Sequence, residues 1–261
     1  MRLNFVLFGM LLFYMQQGLA QSSERFSEAG ENGRWDIELM DSTVVETVLE
    51  VDLQIFLLAP HPVDYKDIIA NNVKWMNSDF KDYIHFNFDN KIQLLEDSFR
   101  MEVLKQNYIE DGRFVDSLSR HSTKGKINIF ICPTEVDTFS DKELFGFTPV
   151  YKDWSEGYVK KSPKMDNLFI AFSSLETGST FPHEMGHFFG LIHPWEMTKE
   201  ERIKMKIADE IAMLTNFMNY DNFPTQFTKP QLLSMWNFAK DYRYYLLKKS
   251  QLKKSKPINS N

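Results

Sequence analysis

Cysteine is nearly absent: the 261 residues contain one, Cys132. A single thiol excludes an intramolecular disulfide framework and an all-cysteine metal cage. A positive balance is also missing, since 30 Lys and Arg stand against 36 Asp and Glu, for a net charge of −6. That excludes a generally basic nucleic-acid binder and leaves open only a local basic patch. No later apolar run approaches the roughly 20 residues that a membrane-spanning helix needs. No Asn-x-Ser/Thr sequon occurs, so nothing points to N-glycosylation. Internal repeats are absent too. What remains is ordinary globular composition, 43% hydrophobic and 25% charged, with length enough for one large domain or two small ones.

Residues 1–20 read as an address. Met1 and Arg2 precede an apolar run from Leu3 to Tyr14, broken by Asn4, and Gly18-Leu19-Ala20 follows. A short basic start, about 12 apolar residues and a small-residue end are the marks of a secretory signal, cleaved between Ala20 and Gln21. The expected product is secreted or periplasmic, without stable membrane insertion. Residues 21–46 are polar and aperiodic, a flexible lead-in or short pro-segment. Residues 47–247 then form the expected folded domain. Residues 248–261 hold five lysines and read as a basic, solvated tail.

Within the domain, Val51, Leu53, Ile55 and Leu57 alternate as one face of a strand, ended by Pro60 and Pro62. Tyr65 to Asp79 carries Ile68, Ile69, Val73 and Met76 at helical spacing. Further strands are expected at Tyr83–Phe88, Lys126–Cys132, Phe145–Val150 and Leu168–Ser173, with a short helix at Arg113–His121 and residues 90–110 open between strand and helix. Strands alternating with helices predict an α/β (α+β) layer structure. After Ser173 the pattern is loop and helix. Thr198–Glu201 and Thr228–Gln231 read as capping boxes, and the second predicts a helix through about Leu247, with Pro230 in its first turn.

Six histidines would be unremarkable if three did not fall within the run His183-Glu-Met-Gly-His187-Phe-Phe-Gly190-Leu-Ile-His193. On a helix, His183 and His187 stand at i and i+4, on one face, where both imidazoles reach one zinc ion at about 2.0–2.1 Å. Ser179 or Thr180 can cap that helix, and Pro182 fits its first turn. Gly190 is placed to end the helix in a left-handed turn, which lets His193 swing back as a third ligand. Three protein ligands leave a fourth position for water, the arrangement of a catalytic zinc. Zinc lowers the pKa of such a water towards about 7, and Glu184, next to the first ligand, is the natural general base and acid. Cys132, at a strand end, reads as a buried apolar residue. His61, His85 and His121 are isolated and receive no role.

Asn216-Phe217-Met218-Asn219-Tyr220 places Met218 25 residues beyond His193. With the extended histidine motif, this resembles the metzincin clan of zinc peptidases. The resemblance implies that Met218 is the Met-turn residue beneath the metal and that Tyr220 approaches the metal or the oxyanion. The chain looks closest to the pappalysin-like family. Asp64–Phe80 is similar to that family's first helix, Lys126-Ile-Asn-Ile-Phe-Ile to its central strand, and Asp166-Asn-Leu-Phe-Ile-Ala-Phe-Ser-Ser-Leu to its substrate-side edge strand. Phe227-Thr-Lys-Pro-Gln resembles the start of its C-terminal helix. The sequence departs where Pro194 follows His193, where the interval to Met218 is short, and where one cysteine stands in place of the family's disulfides. No calcium site is supported by the sequence.

The resemblance implies a metzincin-type zincin domain: a twisted mixed sheet with backing and active-site helices, plus a smaller lobe holding the Met-turn and C-terminal helix. It further implies a monomeric endopeptidase with one catalytic zinc and a polypeptide substrate, which pairs with Leu168–Ser173 if that strand is the exposed edge. Two other classes fit the same residues. One is an inactive secreted binding or adhesion protein that keeps zinc for stability. The other is a zinc hydrolase of small non-peptide substrates.

Overall fold

Strand β1, Leu49–Leu57, is the longest strand, and its alternating residues Leu49, Val51, Leu53 and Ile55 are all buried, as the period of two requires. The computed structural model describes residues 45, 47–58, 65–95, 117–132, 135–137, 142–148, 166–220, 224–248 and 251. These belong to one compact unit, Asp36–Val150 with Val159–Asn261; the second unit, Met1–Trp35 with Tyr151–Tyr158, lies outside them. The expected signal, the expected lead-in before residue 45, most of the expected basic tail and the segments 96–116 and 149–165 therefore also lie outside. Among the described residues no helix is long and apolar enough to cross a membrane.

Helix α1 runs from Lys66 to Phe80 and buries Ile69, Val73 and Met76 of the expected stripe; Ile68 is half-buried and Phe80 joins the buried face. Strands β2 (Ile84–Asn87) and β3 (Ile92–Leu94) both pair with β1 in parallel, β3 being the short strand inside the ambiguous 90–110 stretch. Strand β4 (Ile127–Cys132) pairs in parallel with the other side of β1. Two three-residue strands, β5 (Glu135–Asp137) and β6 (Lys142–Leu144), form a separate antiparallel pair. Strands β7 (Gly146–Phe147) and β8 (Asn167–Ala171) complete the main sheet, whose order is β2-β1-β4-β8-β7 with β3 also on β1. The β4–β8 pair is parallel and the β7–β8 pair antiparallel, so the fold is mixed α/β on a mostly parallel sheet.

This order corrects one expectation. Strand β8 is not an edge: it lies between β4 and β7, and all five of its residues are buried. Its unbroken apolar run Leu168–Ala171 is the signature of a strand covered on both faces. The edge is β7.

The two faces of the sheet are told apart by register. Phe56, Phe130, Phe169 and Phe147 stand opposite one another across β1, β4, β8 and β7. Their rings stack in a row, with centroids 4.7, 5.4 and 5.6 Å apart. Leu58, Leu95, Leu118 and the buried thiol of Cys132 fill in around them. The opposite row, Leu57, Ile131, Ile170 and Gly146, faces helix α2 (Thr180–Phe188).

Beyond α2 come α3 (Lys199–Lys204), α4 (Glu210–Leu214) and α5 (Lys229–Asp241). Both expected capping boxes form: Thr198 Oγ1 accepts from Glu201 N, and Thr228 Oγ1 from Gln231 N. Helix α5 stops at Asp241, short of the expected Leu247, and a 3₁₀ turn, Tyr244–Leu246, replaces its last part. The cause is local. Arg243 leaves the helix to pair with the buried Asp166 carboxylate at 3.1 Å, which Tyr245 also bonds at 2.6 Å. Leu247 then bridges to Val51 of β1, tying the end of the domain to the sheet.

Candidate metal centre

Helix α2 begins at Thr180, as expected, but Ser179 makes no side-chain cap. It buries Phe181, His183, Glu184, Met185, Gly186 and Phe188, so it is buried almost all round and inserted between other elements. Two of its glycine contacts set its position. A Cβ on Gly186 would lie 2.4 Å from the Met218 sulfur, so Met218, fully buried, packs directly against the helix between the two histidines. Gly190 adopts φ +87°, the left-handed turn expected of it. Its Leu191 N–H donates to Gly186 O, and Phe238 of α5 fills the space where a side chain would stand.

The chain then returns His193 to the face that carries His183 and His187. One ligating nitrogen from each of the three lies within 4.8 Å of the others, a group that can hold a metal ion. The ring centroids are 4.5 to 5.4 Å apart. Each imidazole is oriented by an oxygen at its inner nitrogen. His183 Nδ1 lies 2.6 Å from Phe217 O, His187 Nδ1 2.9 Å from Leu191 O, and His193 Nδ1 2.9 Å from Glu196 Oε2. A carbonyl or carboxylate oxygen accepts, so each Nδ1 carries the hydrogen and each Nε2 of a neutral ring presents a lone pair.

Two of those lone pairs, on His187 and His193, face each other at 3.0 Å. Without a shared cation or proton they repel. Burial disfavours the proton, holding His183 down to about 4 and His187 well below its ordinary value. Bonds of about 2.0–2.1 Å in a tetrahedral set put two nitrogens roughly 3.3 Å apart, close to what is found. The donor set therefore fits zinc: three neutral imidazoles, each with its inner N–H engaged, as metal-bound histidines are.

Glu184 is buried on the sheet side of α2. The Thr148 hydroxyl stands 2.6 Å from its Oε2 and 3.0 Å from its main-chain carbonyl. Burial raises the Glu184 carboxyl to about 8, against the opposing effect of that hydroxyl. Both neighbours come from β7 and the residue after it, and Gly146 leaves room for the carboxylate: a Cβ there would meet Glu184 Oε1 at 2.7 Å. Tyr220 stacks on His183 at 5.4 Å between centroids and tilts against His193 at 4.8 Å. Tyr220 is largely exposed, but the protein atoms packed about its ring, and then the Glu184 and Glu196 side chains, push its phenol up, so it stays protonated and able to donate.

All the residues singled out in the sequence thus meet here: His183, Glu184, His187, His193, Met218, Tyr220 and the turn at Gly190. Others had not been singled out. Glu196 orients His193, Trp195 lies flat on its ring at 4.3 Å, and Thr148 holds Glu184. The first had a legible signal, since His193 to Glu196 repeats the spacing of a capping box and forms one. Thr148 had none, standing 36 residues from its partner.

No protein-family model matches the chain, and no curated protein matches it. Solved structures do match in part. Among them is a zinc-dependent peptidase from Methanocorpusculum labreanum (strain Z), 14% identical, with a TM-score of 0.38 over 70% of this chain and 99% of that one.

Proposed function

We propose that the chain is an exported zinc endopeptidase of metzincin type, with His183, His187 and His193 as the metal ligands. The observation that carries this reading is the triple of oriented imidazoles, each locked by an oxygen at Nδ1, with a buried carboxylate beginning one residue after the first. Bound there, zinc supplies Lewis-acid polarisation of a carbonyl and a lowered pKa for water. The rest is done by the chain's own groups. With a dication bound beside it, Glu184 is favoured in its ionised form, and it takes the proton of the attacking water and returns it to the leaving amine. The Tyr220 hydroxyl donates to the carbonyl oxygen as negative charge develops there. Met218 is the apolar floor that fixes the two helical histidines from below, the role of a Met-turn residue.

An extended polypeptide would add to the sheet at β7, not at β8. That places Gly146 and Thr148 between substrate and base. Gly146→Ala should therefore lower kcat by about 10–100-fold with zinc retained, because the new methyl displaces the carboxylate. Turnover of a peptide substrate beside metal analysis checks it, and unchanged turnover would show that the edge strand does not set the base.

Cleavage of casein or a mixed peptide library by the purified full chain tests the reading. The expected result is cleavage stopped by a chelator and restored by zinc. Zinc binding with no polypeptide cleavage would instead favour an inactive binding protein or a hydrolase of small molecules.

A further inference from the structure

Resting on the metal site proposed above, we propose that Glu196 is a positioning residue that sets how tightly the site holds zinc. Of the three imidazoles, two lean on main-chain carbonyls, Phe217 O and Leu191 O, which no substitution removes. His193 leans on a side chain. It is also the ligand that α2 does not carry, so its direction depends on the turn that follows it.

That turn grips the ring from two sides. A single oxygen, Glu196 Oε2, accepts from the main-chain N–H of His193 at 2.8 Å and from its Nδ1–H at 2.9 Å. Binding both ends of one residue limits rotation about its two side-chain bonds and fixes the tautomer with the Nε2 lone pair outward. Trp195 covers one ring face, its plane within 10° of the imidazole. Arg202 of α3 fastens the turn itself, donating from Nη1 to Met197 O at 2.9 Å and to Pro194 O at 3.2 Å. A hydrogen bond accepted at Nδ1 raises the donor strength of the opposite nitrogen, as the outer partners of metal-bound histidines do.

The test is zinc affinity of the full chain, measured by competition with a chromophoric chelator, with thermal unfolding of the metal-free protein alongside. Glu196→Ala should bind zinc about 10–100-fold more weakly than the wild type. Glu196→Gln, whose amide oxygen still accepts both bonds, should lose less. Wild-type affinity in Glu196→Ala overturns the assignment. If that variant does not fold, Glu196→Asp decides, since its carboxylate falls one methylene short of the ring. A loss of tenfold or more supports the assignment and wild-type affinity overturns it. Failure of the wild type itself to bind zinc would count against the metal site, a result distinct from either.

Discussion

Replacing Glu184 with glutamine is expected to stop peptide cleavage while leaving zinc in place. The amide has nearly the shape of the carboxyl and keeps an oxygen for the Thr148 hydroxyl, so the packing between α2 and β7 survives. No ligand nitrogen is touched, because the inner N–H groups of the three histidines bond to Phe217, Leu191 and Glu196. What is lost is a group able to take and return a proton. General base catalysis contributes about 10²–10⁴-fold, and kcat should fall by that order. Peptide turnover beside metal content checks this. A variant that cleaves at the wild-type rate removes Glu184 from the mechanism.

The second large effect falls on the fold. Gly190→Ala places a methyl where the backbone has φ +87° and where Phe238 carbons lie 2.6 and 2.7 Å away. Either fault alone is costly. The left-handed conformation costs a non-glycine residue about 1–3 kcal/mol, and overpacking a buried site costs about as much again. Phe238 is buried on α5 and has little room to withdraw. Denaturant unfolding should show a loss of about 3 kcal/mol or more. Zinc affinity should fall with it, because the same turn returns His193 to the other two ligands. A variant as stable as the wild type would contradict the placement of α5 against the end of α2.

Some of this architecture was legible in the sequence because local chemistry dictates it. The alternation of β1, the stripe of α1, the capping boxes of α3 and α5 and the glycine at 190 are each satisfied within a few residues of chain. The candidate metal site was legible for the same reason: its three histidines and the turn that unites them lie within one short run. The sheet edge was not. Strand β7 is two residues long, too short for a pattern, and β8 was mistaken for the edge although its unbroken apolar run marks an interior strand. Contacts made across the fold were equally silent, as with Thr148 on Glu184 and Phe238 beneath Gly190. The C-terminal helix was overdrawn because its end depends on Arg243 meeting Asp166, 77 residues away.

Everything proposed rests on three imidazole nitrogens sharing one ion. Metal analysis of the full chain together with X-ray absorption at the zinc edge addresses that claim most directly. One zinc per chain is expected, with three nitrogen ligands from histidine at about 2.0–2.1 Å and an oxygen from solvent as the fourth ligand. A protein that binds no zinc, or one whose zinc has sulfur or a fourth protein ligand in its shell, would contradict it.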